Sequence, residues 1–289
     1  MASVRRSVLY IASFVCLALA YFLSDLRWFL TVVSVSICFA AVSCVITARR
    51  LMFMAAATPH AALFAAALGV MLSSYVGLLD PYLWALAIGT AIVLVTGFVV
   101  ERGVDPDIAT SVMVSATACG SVIAITWIAT YLSMRYSPLS LIVGDPLLVD
   151  WNEVLLVVAI SVAMFFVAIA VHRVSLCMGF DLDHVRLATS RVWLYDIAIY
   201  VSLAITSVAM VKVVGFVLQH VLILLPSAIG IAIGRSARDV LEVAVCISIA
   251  ASSLGLAISI LLDLPPSGMI GLAFLCIYIA TAILRKLRT

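Results

Sequence analysis

Apolar residues run along this chain in long blocks separated by short clusters of Arg, Asp, Pro and Gly. Each block is near the ~20 residues that an α-helix needs to cross the hydrocarbon core of a bilayer. Read in order, the blocks predict spans at 7–24, 28–48, 55–78, 82–100, 109–133, 153–172, 195–212, 216–234, 239–262 and 268–285. The blocks lack the strict alternation of barrel strands. The expected fold class is therefore all-α, a polytopic membrane helical bundle of about ten transmembrane spans forming one domain over 1–289. The division at Gly215 predicts a tight turn between two spans rather than one long helix.

Composition agrees. The 289 residues are 66% hydrophobic and 10% charged, more apolar surface than a water-soluble fold of this size could bury. Net charge of +2 says little, whereas the placement of charge says more. With the N-terminus inside, the inner side holds Arg5, Arg6, Arg49, Arg50, Arg102, Arg173, Arg186, Arg191, Arg235, Arg238, Arg285, Lys286 and Arg288, which is 13 of the 16 Lys and Arg residues. This is the asymmetry of the positive-inside rule, and it puts both termini in the cytoplasm. Fusing the spans around Gly215 would move Arg235 and Arg238 outside, so the charge count also favours a turn there. The expected location is the cell's inner (plasma) membrane. Arg5-Arg6 and the apolar run behind them resemble a signal peptide, but Ser24-Asp-Leu-Arg27-Trp28 offers no small-residue cleavage site, so 7–24 is read as the first span. The seven cysteines show no metal-motif spacing and read as small core residues. No segment offers a soluble catalytic domain or a nucleic-acid-binding face.

Polar residues inside the spans are the candidates for function, because such groups are costly in lipid and usually face a bundle interior or a water-filled path. The stretch 210–239 carries Lys212, Gly215, Gln219, His220 and Pro226. The third span opens with Thr58-Pro59-His60, where proline frees backbone carbonyls; such interruptions persist in buried helices or along cavities. His60 and His220, with Gln219 and Thr58, could form a weak and transient site for a divalent cation, because neutral imidazole suits zinc, iron and similar ions. Two ligands per subunit suit passage rather than storage, and a homodimer would double them. The competing reading is that both are hydrogen-bonded interior histidines. Other side chains narrow the choice. Glu153, Asp196 and Glu242 lie near span ends, leaving few carboxylates to couple ions inside the bilayer. The chain has no phosphate-binding loop, since Gly230-Ile-Ala-Ile-Gly234-Arg is too short and lacks the lysine. It therefore cannot hydrolyse ATP itself, and no catalytic residues are expected.

The longest inner loop, 173–191, contains Phe180, Asp181, Leu182, Asp183, His184, Val185, Arg186 and Leu187. Asp181 reads as a helix N-cap and Asp183 as a first-turn acid. Leu182, Val185 and Ala188 fall on one stripe of a short amphipathic helix, a surface on which a partner could dock. The longest outer segment, 136–150, is apolar enough to dip back toward the membrane.

Several stretches together resemble the permease subunits of zinc/manganese ABC importers, the ABC-3 metal permease family. Arg49-Arg50-Leu-Met-Phe-Met-Ala-Ala56-Ala-Thr-Pro-His60-Ala61 resembles its Arg-Arg-Met-Ser-Phe-Phe run leading to Ala-Asp-Ala-x-Ala-His-Ala. Val143-Gly144-Asp145-Pro-Leu-Leu-Val149-Asp150-Trp151 and Phe180-Asp181-Leu-Asp183 resemble two further segments. The most specific match is Lys212-Val-Val214-Gly215-Phe-Val-Leu218, running on to Pro226-Ser-Ala228. The resemblance spans 28–285 and leaves the first span outside it. It implies an importer of a divalent metal ion (zinc, manganese or iron) built as a permease homodimer. Two cytoplasmic ATP-binding subunits would bind beneath, and an extracytoplasmic metal-binding protein would deliver the ion. The region 180–187 would then be the helix that couples to the ATPase. Two departures stand out: Ala56 replaces the family's metal-path aspartate, and His220 stands where a small or hydroxyl residue is common. We read the second as an offset for the first. A secondary carrier with two five-helix inverted repeats, 1–134 and 153–289, fits the span count as well, but no matching pair of motifs supports it. An intramembrane enzyme or assembly factor would need a convergent polar constellation that the sequence lacks.

Overall fold

The computed structural model describes residues 2–132, 144, 146–189 and 191–286, with side chains from Ser7 onward except at Leu148. The expected re-entrant stretch falls outside the described residues over 136–143 and at Asp145. Among the described residues there are ten α-helices and no strand. They are α1 (Ala2–Leu23), α2 (Leu26–Arg49), α3 (Met52–Val76), α4 (Pro81–Glu101), α5 (Pro106–Tyr131), α6 (Trp151–Phe180), α7 (Leu182–Ala188), α8 (Val192–Ile233), α9 (Ala237–Leu262) and α10 (Pro266–Lys286), with a single 3-10 turn at Pro146–Leu148. The chain is an all-α polytopic membrane protein: eight of these helices are long and apolar enough to cross a bilayer, and α1 adds a shorter apolar run, Ser7–Leu23.

Helix ends follow from their capping residues. Asp80 and Asp105 accept backbone N–H groups at the starts of α4 and α5, each with proline at the first helical position. Ser236 caps α9 in the same way, through the N–H of Asp239. Gly77 ends α3 in a left-handed conformation. One boundary differs from the sequence reading: α6 continues through His172 and Arg173 to Phe180, although the apolar span was expected to end at 172. Nothing in 173–180 breaks a helix before Gly179, and Met178 is buried against Val185 and Val192, so packing carries the helix beyond its apolar block.

The 42 residues of α8 would extend about 63 Å if straight, roughly twice the ~30 Å hydrocarbon thickness. They are not straight. Gly215 has φ 77° and ψ 161°, a conformation open essentially to glycine alone. Four residues on, Gln219 Nε2 donates a hydrogen bond to the carbonyl oxygen of Ser207 at 2.6 Å. Residues twelve apart in a straight helix are separated by ~18 Å along the axis, beyond any side chain's reach. The chain therefore turns back at Gly215, and α8 is two spans, 192–214 and 216–233, giving about ten in all.

By packing, the described chain forms two compact units. The first comprises 45–144 and 166–219. In it, α3 packs against both α4 and α5. Alanines at 62 and 66 meet Ala85, Val208 and Val211, while Ala67 and Val70 meet Ala124 and Ile128. Lipid tails are as apolar as leucine, so helices associate in a bilayer by close packing of small residues. Gly97 is one such point: a Cβ there would come within 2.5 Å of the Tyr200 ring. The second unit comprises 1–44, 145–165 and 220–289, with α9 packed against α1 and α10. Ser13 Oγ donates to the Cys246 carbonyl at 2.9 Å, Ser43 Oγ to Ser227 Oγ at 2.8 Å, and the Trp28 indole to the Leu147 carbonyl at 2.9 Å. Each bond satisfies polar atoms that hydrocarbon could not.

Candidate functional site

Two groups of residues draw attention, and the first lies wholly in the first unit. One surrounds α7. The Asp181 carboxylate accepts the N–H of His184 at 2.9 Å and so caps the helix. Asp183 lies in the first turn, where the helix dipole favours an acid. Val185 is buried and Leu182 half-buried, packed with Met178, Val192, Val174 and Tyr195. Gly179 passes so close to the Ala48 carbonyl that no side chain would fit. The predicted stripe of Leu182, Val185 and Ala188 therefore does not supply a docking face: its first two members anchor α7 to its own chain, and Ala188 alone is exposed. The apolar side chains left uncovered are Phe180 and Leu187, 83% and 89% exposed, flanked by exposed Asp181, Asp183, His184 and Arg186. The stripe was legible; which face would be consumed internally depended on Met178 and Val192, and so on where α6 ended.

Charged residues beside α7 form a network that the sequence did not reveal, and one member, Glu101, carried no sequence signal. Arg186 Nη2 lies 3.2 Å from Glu101 Oε2 at the end of α4. Glu101 Oε1 lies 3.9 Å from Arg49 Nη2 at the end of α2. Arg49 Nε donates to Asp196 Oδ1 at 3.1 Å, in the first turns of α8. A carboxylate set in the apolar run Trp193-Leu-Tyr-Asp196-Ile was the available signal, because an acid so placed is nearly always paired.

The second group holds the polar residues of the spans. α3 runs through Pro59 without a break. Thr58 is fully buried, and its hydroxyl donates to the Met54 carbonyl at 2.8 Å, a back-bond to its own helix. Half-buried His60 meets Phe216 edge to face, ring centroids 4.9 Å apart at 77°. Phe216 directly follows the Gly215 turn, so the turn sets a wall beside this histidine. Gln219 is buried; its Nε2 is taken by Ser207, and its Oε1 finds no partner among the described residues. Lys212 is exposed and Pro226 buried. The structure thus brings His60 beside the Gly215 turn, and places half-buried His220 in the second compact unit. Among the described residues, no three His, Cys, Asp or Glu side chains form a metal-holding group.

No curated protein sequence matches the chain. Among solved structures, PsaBC from Streptococcus pneumoniae in complex with Fab aligns with TM-score 0.72 at 20% identity, covering 88% of this chain and 89% of that one. An inward-facing structure described as a metal-chelate type ABC transporter aligns with TM-score 0.73 at 11% identity, covering 96% and 99%. At such identities the likeness is one of fold. The sequence profile of the ABC 3 transport family matches residues 21–285, so it omits most of α1 and takes in all the other helices except the tip of α10. With a match over that length, on a bundle of the same fold, this chain belongs to the ABC 3 transport family.

Proposed function

We propose that this chain is the permease subunit of an ATP-binding cassette importer that carries a divalent metal ion (zinc, manganese or iron) into the cytoplasm. It works as a homodimer with both termini cytoplasmic in the inner (plasma) membrane. Two ATP-binding subunits sit beneath it, and an extracytoplasmic metal-binding protein feeds it. The observation that carries this reading is the α6–α7 corner: a capped helix fastened to its own chain by Val185, with Phe180 at the end of α6 and Leu187 on α7 left bare. Large apolar side chains this exposed, set among charged neighbours, suit a surface that a partner covers. A transport-family chain without a phosphate-binding loop needs a partner to supply ATP hydrolysis. Phe180 and Leu187, with the exposed Asp181, Asp183, His184 and Arg186, meet that partner.

The metal ion is the cargo. His60 and His220 are its imidazole contacts along the path, Gln219 Oε1 and Thr58 its oxygen contacts. Pro59, Gly215 and Pro226 shape the helices that carry them, and Lys212 marks the membrane end of the span before the turn. His220 takes over part of the task left by Ala56. The test is uptake of zinc, manganese and iron(II) into proteoliposomes holding the chain with its ATPase and binding protein, wild type beside His60→Ala and His220→Ala. ATP-dependent uptake that falls in either variant is the expected result. ATP hydrolysis with no movement of any of the three ions would refute metal import, and uptake unaffected by H220A would refute the substitution for Ala56.

A further inference from the structure

The charges around α7 are graded in depth. Side-chain exposure falls from 49% at Arg186 to 32% at Glu101, 12% at Arg49 and 3% at Asp196. The four side chains belong to four different elements: α7, α4, α2 and α8. Glu101 spans the middle, with one carboxylate oxygen 3.2 Å from Arg186 and the other 3.9 Å from Arg49. Arg49 then turns its Nε to Asp196 at 3.1 Å. We propose that Glu101 is a positioning residue that transmits movement of α7 into the buried ends of α2 and α8 through the ordered chain Arg186–Glu101–Arg49–Asp196. This inference rests on the reading of α7 as the helix that meets the ATPase.

The physics favours transmission in that direction. An exposed ion pair is weak and screened, while the same pair in a less polar setting is held more strongly. Separating a buried pair strands an uncompensated charge, so such a pair resists opening. The chain is therefore yielding where Arg186 meets water and stiff where Arg49 meets Asp196. A pull on α7 is borne at Glu101 and passed inward. The next turn of α8 is seated as well: Tyr200 lies against Gly97, one turn before Glu101 on α4. Displacing Glu101 thus moves α4 and α8 as a pair. The apolar anchor of Val185 on Val192 fixes where α7 sits on α8, and the charges set how its motion spreads to α2 and α4.

The test compares wild type, E101Q and E101D as the complete complex in liposomes, with zinc and manganese ions as cargo. ATP hydrolysis and ion uptake are measured together. Hydrogen exchange of the permease is followed at 182–188 and at 192–200. E101Q is expected to keep ATP hydrolysis, to lower ions moved per ATP by roughly fivefold or more, the low end of a coupling between sites, and to speed exchange about threefold at both segments, as loss of a partly exposed pair implies. E101D keeps the charge at shorter reach and should recover part of the ratio; it also serves if E101Q fails to assemble. An unchanged ratio in E101Q, or faster exchange confined to 182–188, would overturn the proposal. A wild-type complex that hydrolyses ATP and moves neither ion would count against metal import instead, and the two exchange segments would then decide the relay alone.

Discussion

Gly215 offers the sharpest check on the fold, because two descriptions of α8 predict opposite signs for one methyl group. In a continuous helix, replacing glycine with alanine would stabilise the protein by about 1 kcal/mol, since alanine has the better helix propensity. At φ 77° and ψ 161° the result reverses. That region is essentially restricted to glycine, and holding another residue in such a conformation costs on the order of 1–3 kcal/mol. The difference between the two expectations is thus about 2–4 kcal/mol. The neighbourhood offers little relief: Gly144 packs directly against the backbone of Val214 and Gly215, too closely to carry a side chain itself. Moving 215 to a helical conformation would unfold the turn and break the Gln219–Ser207 hydrogen bond. The assay is reversible unfolding of the purified protein in mixed micelles with increasing SDS, followed by far-UV circular dichroism. G215A should shift the midpoint toward lower SDS, by an amount corresponding to about 1–3 kcal/mol. Gln219→Leu should act in the same direction but less, about 0.6 kcal/mol, as interior hydrogen bonds in membrane proteins do. A G215A variant at or above wild-type stability would refute the turn, and with it the division of α8 into two spans.

Other outcomes follow from particular contacts. R49M should destabilise by about 3–5 kcal/mol by stranding buried Asp196, while R49M/D196L should be much nearer wild type; a double variant as poor as the single would argue that the pair is not the cause. F180A and L187A should leave stability within about 0.5 kcal/mol, as exposed positions do, yet abolish co-purification of the ATP-binding subunit. Retained association in the double variant would send the docking surface elsewhere. D181A should cost about 1 kcal/mol of local stability through the lost cap, seen as faster hydrogen exchange confined to 182–188. G97L should disrupt the packing of α4 on Tyr200 and cost a few kcal/mol by overpacking, measured by the same SDS titration.

Much of this architecture was written in the chain. The blocks of apolar residues decided the class, because a bilayer accepts only segments that satisfy their own backbone, and helices do so locally. The glycine in Lys212-Val-Val-Gly215-Phe marked the turn, an effect that reaches across a few residues and needs no tertiary partner. Asp181 was legible as a cap for the same reason. What the sequence could not settle was which side of an element would be spent on contacts within the chain. The stripe of Leu182 and Val185 looked available and is covered, because α6 continues past its apolar block and brings Met178 alongside. Glu101 and Arg186 are 85 positions apart, and Arg49 and Asp196 are 147 apart. Pairing at such separations has no local signature: any of the acids near the span ends could have met any of the arginines. Only helix packing, through small residues such as Gly97 against Tyr200 and Gly179 against Ala48, brings those charges to one place.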